Sequence, residues 1–340
     1  MSATSVDFVA VDLADVARVA RAALLRAGCD EANAAATTDV IVRAERDGCA
    51  SHGLFRLDGY LAALRSGKAN GRAAPVARQI APGVLRIEAQ CGFAPLAMQT
   101  AREALAPLAR MQGLAAAAIV DALHFSALWA DIEALVDEGL GALCCTAYLP
   151  VVAPTGAIKP FFGTNPLAFG FPGDEGFIFD FATAATARGE IQIAARDGLL
   201  APEGAGLDAQ GRPTRDPAEI LGGAQSPFGG HKGSALALMI ELLAGVLIGQ
   251  PTSVEAARED NGDGGPPRGG LLLLAFDPAR FGDAAGWRAH ASAYFAQLRA
   301  LPGIRLPGDR RRAERARISV EGARLPIALW RAALAAAGET

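Results

Sequence analysis

Residues 228–239 read FGGHKGSALALM, and the fold turns on how that stretch is taken. Glycines flank His231 and Lys232, and an apolar helical pattern starts at Ser234. Backbone N–H groups at a Gly-rich helix start, joined by the charge of Lys232, make a site for an anion such as a cofactor phosphate. The stretch is not a Walker loop, because Lys232 is followed by Gly233 rather than by Ser or Thr, and no G-x-G-x-x-G follows a strand anywhere in the chain. A dinucleotide bound here is therefore bound outside the Rossmann scheme. Taken alone, a Gly-rich turn before a helix is equally ordinary connecting structure.

Working outward, the apolar segment Ala235–Gly249 holds Glu241 and is shorter than the roughly 20 apolar residues of a bilayer span, so it is expected to be a buried helix. Residues 251–270, PTSVEAAREDNGDGGPPRGG, lack periodicity and are expected to form a surface loop or flap. Short β-compatible runs (Val84–Glu88, Ala116–Val120, Ala142–Ala147, Ile178–Phe181, Leu271–Phe276) alternate with helical ones (Pro95–Met111, Trp129–Glu138, Ser234–Ile248). The ends are helical in pattern. Leu13, Val16, Val19, Ala20, Ala23 and Leu24 recur on one face behind Asp12, further helices are expected over Glu31–Arg46 and from Leu54 to Ser66–Gly67, and Ser319–Ala337 follows the basic run Arg310–Arg317. The expected fold class is α+β, with a helical domain built from both termini (1–75 with 312–340) and an α+β body (76–311).

Composition narrows the function. The 340 residues are 51% hydrophobic and 20% charged with a formal net charge of −4, which fits a soluble globular chain and lacks the basic excess that nucleic-acid binding demands. The N-terminus carries Asp7, Asp12 and Asp15 where a secretory signal would be basic and then uniformly apolar, so neither export nor membrane insertion is expected. Five cysteines, odd in number and without a C-x-x-C pair, suggest neither a disulfide framework nor a zinc site, and a cytoplasmic setting fits.

Four histidines are present, three of them in unusual contexts: His52 in ASHG, His124 in DALHFSALW and His231 in FGGHKGS. Histidine is the side chain best suited to proton transfer near neutral pH. His290 lies in an Ala-rich helical stretch and is read as background. Ser51–His52 could be an N-cap and turn; it could equally project a hydroxyl–imidazole pair into a cleft, with Arg56 at i+4 gripping a carboxylate while His52 delivers a proton. The second reading implies a small anionic substrate. Thr164–Asn165–Pro166 is turn chemistry by itself, and Asp180–Glu190 (DFATAATARGE) follows a β-like run with an acid at each end.

The ordered set ASHGLFRLDGY, HFSALW, KPFFGTNPLAFGFP, DFATAATARGE, GLDAQGRPTRDP, GGHKGSALALMIELLAG and LLLLAFDPARF closely resembles the malate/L-lactate dehydrogenase family, which lacks a Rossmann fold. The resemblance runs from about Val16 to Arg311. HFSALWADIEAL, RGEIQIAARDG and GGHKGSALALM are most similar to the branch that reduces the cyclic imino acids Δ1-piperideine-2-carboxylate and Δ1-pyrroline-2-carboxylate with NADPH. That resemblance implies Ser51 and His52 as the catalytic pair with His52 as proton donor, and Glu190 as an acidic relay. It implies Arg56, Thr164, Arg188 and Gly189 at the substrate. The cofactor contacts it implies are His124, Phe125, Ser126, Ala127 and Leu128; Asp180, Phe181 and Ala182; His231 and Lys232; and Arg305, Leu306, Pro307, Gly308, Asp309, Arg310 and Arg311. No metal is implied, and a homodimer is.

Many family members carry Asp where this chain has Ala50, a polar residue where it has Leu123, and the imine-reducing branch has Asp at the position of Glu190. Within the family, an NAD(P)-dependent 2-hydroxyacid dehydrogenase is the alternative activity, because a 2-oxo acid would use the same Arg56 and His52 geometry. A non-catalytic relative is the third reading, against which Ser51, His52, Arg56 and Lys232 stand intact. The run Arg310-Arg311-Arg312 could pair with a ribose 2′-phosphate, favouring NADPH over NADH; a solvated basic face is the plainer alternative.

Overall fold

A computed structural model describes residues 7–174 and 176–339; Met1–Val6, Glu175 and Thr340, which include the first residues of the expected helical domain, lie outside the described residues. The chain begins with strand β1 (Phe8–Val11) and helices α1 (Leu13–Arg26), α2 (Glu31–Arg46) and α3 (Leu57–Arg65). Then come β2 (Val76–Ala81), β3 (Val84–Glu88), α4 (Ala94–Gln112), β4 (Leu114–Leu123), α5 (Leu128–Asp137), β5 (Gly141–Thr146), β6 (Leu167–Phe171), β7 (Phe177–Phe181) and α6 (Arg188–Asp197). A small sheet of β8 (Gly206–Leu207), β9 (Pro213–Thr214) and β10 (Ala224–Gln225) encloses α7 (Pro217–Gly222). The remainder is α8 (His231–Ala244), α9 (Ser253–Glu259), β11 (Arg268–Phe276), α10 (Trp287–Arg299), α11 (Asp309–Glu321), β12 (Ala323–Pro326) and α12 (Ile327–Ala337).

The main sheet has the order β2-β3-β4-β11-β5-β6-β7, and β3–β4 is its single parallel pair. A doubly wound dinucleotide fold would be chiefly parallel, so the non-Rossmann α+β expectation holds. The run Leu271–Leu273 on β11 is buried on both faces because strand side chains alternate. Leu271 and Leu273 join α4 and α5, and Leu272 joins Ile240, Ala244 and Ile248 beneath α8. Alanines along β4 let α4 sit close, packing Met98, Ala101 and Leu105 on the sheet. A second core joins the two chain ends: β1 pairs antiparallel with β12, and Val16, Val19, Ala20 and Leu24 of α1 pack with Ala333 and Ala337 of α12.

Several expectations need correction. The basic run is itself helical, as α11, and the helix expected over Ser319–Ala337 is broken at Gly322 by β12 before α12 starts. The break has a physical cause: Gly322 has φ +79°, and a Cβ there would press on the Val11 backbone at 2.8 Å, where β1 meets β12. The expected loop 251–270 contains α9, started by a Thr252/Glu255 capping box. Nor is α8 buried all round. Ala237, Ile240 and Ala244 face inward, whereas Leu238, Leu242, Val246 and Leu247 on this helix and the turn after it are exposed.

Candidate active site

A single motif, ASHGLFR, supplies two functional side chains because the chain folds it as two successive 3-10 turns, Ala50–His52 and Leu54–Arg56, before α3 begins. Ser51 is not the N-cap of a longer helix; its hydroxyl lies 3.0 Å from His52 Nδ1. Both turns open on a cavity of about 370 Å3. Its wall also contains His124–Trp129, Thr164, Asp180–Ala182, Arg188–Glu190 and Arg310.

Burial lowers the His52 imidazole to about 3, helped by the neighbouring Arg56 and His124 charges, so the ring is neutral near pH 7. Arg56 lies over the rings of Phe125 (4.8 Å) and Phe55 (5.3 Å). Its guanidinium has no anionic partner among the described residues, its Nε is buried without a hydrogen bond, and burial lowers its pKa. A half-buried cation without a counter-charge carries a desolvation cost, and an incoming carboxylate offsets it. Gly189 at the start of α6 allows this approach: a Cβ there would stand 2.8 Å from Arg56 Nη2 and 2.9 Å from Ser51 Cβ.

The other walls are fixed by hydrogen bonds. Thr164 O accepts from Thr183 N (2.8 Å) and Thr183 Oγ1 (3.0 Å), tying the Thr-Asn-Pro turn to the end of β7. Asn165, buried and at φ +37°, donates to Ala237 O at 3.1 Å and Glu241 Oε1 at 2.8 Å, and accepts from Tyr148 N at 3.2 Å. Opposite, His124 Nε2 lies 3.0 Å from Asp131 Oδ2 and 3.0 Å from Ser126 Oγ. At the far end burial raises the Asp180 pKa while Arg311, 3.3 Å away, opposes that rise.

Most of the residues expected at the site are therefore brought together, but not all. Arg311 is not part of the cavity wall but backs it: it donates to Ile178 O at 2.7 Å and to Asp180, and stacks on Trp129 at 4.8 Å. Arg312 pairs with Asp309, leaving Arg310 as the arginine of this run that lines the cavity. His231 and Lys232 are exposed at the start of α8, outside the cavity wall, although Phe228 in the same turn packs on Phe181. Arg305–Asp309 also stand outside it. Glu190 is on the rim, exposed, and makes no hydrogen bond to His52 among the described residues. Tyr148, Trp129, Gln192 and Asp131 were missed. Only Asp131 left a trace in sequence, since it sits one helical turn after the Ala127–Leu128 helix start and can reach back to His124.

Comparison with known proteins identifies the family. The malate/L-lactate dehydrogenase family model matches residues 11–333, and the chain belongs to that family of nicotinamide-dependent oxidoreductases. Among its relatives, the Delta(1)-pyrroline-2-carboxylate reductase of Ancylobacter novellus is 51% identical over 326 residues, covering 95% of this chain and 96% of the relative. The Delta(1)-pyrroline-2-carboxylate/Delta(1)-piperideine-2-carboxylate reductase of Pseudomonas aeruginosa is 47% identical, covering 95% and 98%. The crystal structure of delta1-piperideine-2-carboxylate reductase from Pseudomonas syringae pvar. tomato superposes with a TM-score of 0.90 at 40% identity, covering 96% of this chain and 99% of that one.

Proposed function

We propose that this protein is an NADPH-dependent reductase of cyclic imino acids, converting Δ1-pyrroline-2-carboxylate and Δ1-piperideine-2-carboxylate to L-proline and L-pipecolate. The observation that carries this reading is Arg56, a half-buried guanidinium whose Nε is fully buried and which has no carboxylate partner among the described residues, set in the same wall as a neutral His52. Arg56 and Thr164 hold the substrate carboxylate, and Arg188 with the Gly189 backbone closes over it. Carboxylate binding offsets the Arg56 charge, which after burial is the next cause disfavouring protonation of His52, and so eases proton uptake by the imidazole as the substrate arrives. His52 gives that proton to the imine nitrogen, with Ser51 holding its other ring nitrogen, and Glu190 on the rim returns a proton from solvent.

The reduced nicotinamide, when bound, supplies the hydride that C2 of the iminium takes up. The cavity fits that group: its volume is within the range of cofactor sites, and Arg310 brings it a cation with no carboxylate partner among the described residues. Arg310 supports NADPH, since a free guanidinium suits a 2′-phosphate. His124–Leu128 and Asp180–Ala182 form the walls against which the cofactor would lie, with Arg310 toward its 2′-phosphate; His231, Lys232 and Arg305–Asp309 stand outside this cavity and would meet only the parts of the cofactor that extend beyond it, and Arg311 backs Asp180. We include a cytoplasmic homodimer in this proposal, supported by the five free cysteines and by the exposed leucines of α8, which a second copy would cover.

The test is NADPH consumption with both imines beside pyruvate and oxaloacetate. Turnover with the imines is expected; turnover confined to the oxo acids would overturn the substrate assignment and favour a 2-hydroxyacid dehydrogenase. Light scattering tests the dimer: Leu242→Glu is expected to halve the wild-type mass.

A further inference from the structure

Glu45 is a buried acid that the reaction described above does not use. It stands on the last turn of α2, is 5% exposed, and is pushed up to about 7 by burial. The one hydrogen bond of its carboxyl group among the described residues reaches nine positions along the chain, where Oε1 accepts the Leu54 N–H at 2.7 Å. The residues around that N–H satisfy each other: His52 N donates to Cys49 O at 2.8 Å, Gly53 N to Ala50 O at 3.3 Å and Arg56 N to Gly53 O at 2.9 Å. Leu54 N falls where one 3-10 turn ends and the next begins, so neither turn supplies it with an acceptor. The carboxyl group also fills the space beside Gly53, where any Cβ would overlap its Oε1 and Cδ.

We propose that Glu45 is a positioning residue that joins the two turns of the active-site segment, setting His52 on the first and Arg56 on the second to face one cavity. Its oxygen does the joining: it satisfies Leu54 N and, by lying against Gly53, fixes the bend between the turns. Without it the bend is free to open, and the imidazole and guanidinium lose their common target. The inference rests on the roles of His52 and Arg56 proposed above.

Three variants test it, each assayed with Δ1-pyrroline-2-carboxylate and titrated with NADPH. Glu45→Ala leaves the buried N–H unpaired and is expected to lower kcat/KM by about tenfold or more, with kcat falling and KM rising together. NADPH affinity is expected to stay within about twofold, because Asp180 and Arg310 are held by other elements. Glu45→Gln keeps the oxygen and is expected to restore turnover to within about threefold of wild type. Gly53→Ala displaces the same contact from the other side and is expected to match Glu45→Ala in kcat/KM while leaving Glu45 in place.

Full activity in Glu45→Ala, a parallel loss of NADPH affinity, or Glu45→Gln as impaired as Glu45→Ala would each overturn the inference. The wild type separates this from the parent reading. No imine turnover by wild type refutes the proposed substrate and moves the same comparison to pyruvate, whereas wild-type turnover with an unaffected Glu45→Ala refutes the positioning role alone.

Discussion

Replacing His52 by Asn should make the protein more resistant to acid relative to wild type. Burial holds the imidazole at about 3 against an ordinary 6.5. The folded-state pKa is depressed, so below pH 6.5 the unfolded chain binds a proton that the folded chain does not. The associated stability is complete above pH 6.5 and is lost as pH falls toward about 3. At 1.36 kcal/mol per pH unit the full loss is about 5 kcal/mol, and the part falling between pH 7.5 and 5.0 is about 2 kcal/mol. Glu45 acts in the opposite sense. Its folded pKa is raised from 4.5 to about 7, so its contribution is complete below pH 4.5 and is lost as pH rises through 7. Over the same interval it returns about 2 kcal/mol on acidification, leaving wild type nearly flat in this respect.

The measurement is therefore a difference: Tm of His52→Asn minus Tm of wild type, by calorimetry without ligand, at pH 7.5 and pH 5.0. The variant is expected to gain about 2 kcal/mol on wild type between the two, a shift of a few degrees for a chain of this size. An unchanged difference would refute the claim that the fold keeps His52 neutral. It would also remove the argument that substrate binding eases protonation of this ring.

Arg56→Ala should raise the imine KM by about tenfold to a hundredfold while Kd for NADPH stays unchanged, measured by steady-state kinetics and fluorescence titration. An equal loss of NADPH affinity would contradict its role. Arg310→Glu should weaken NADPH by about tenfold and leave NADH largely unaffected, because it reverses the one arginine of the Arg310–Arg312 run that lines the cavity; an equal effect on both cofactors would place the 2′-phosphate elsewhere. Glu190→Gln should lower kcat with little change in KM, read across pH, and unaltered kcat would remove Glu190 from the proton path.

Three different physical origins separate the residues that could be read from sequence from those that could not. Ser51, His52 and Arg56 were legible because one short segment carries the whole set, and local spacing already implies a shared face. The α+β body was legible because period-2 and period-3.6 patterns report which faces are buried, as in Leu271–Leu273 on β11. The strand pairing β1–β12 was not, since its two partners are short and lie at opposite ends of the chain, with nothing local to mark them. The outer face of α8 was misjudged for a related reason: an all-apolar helix reads the same whether its second face meets protein or solvent.

The sequence by itself carried the family, and with it the non-Rossmann class, through an ordered set of motifs along the chain, and it placed Ser51, His52 and Arg56 in one short segment by their local spacing. Only the tertiary structure decided which of three adjacent arginines faces the cavity, that Asp131 holds His124, and that Glu45 bridges to Leu54. Those facts depend on side chains converging from separate elements on one buried volume. There the free energy of a charge or an N–H group is set by what surrounds it in space, and its neighbours in the chain carry no record of that.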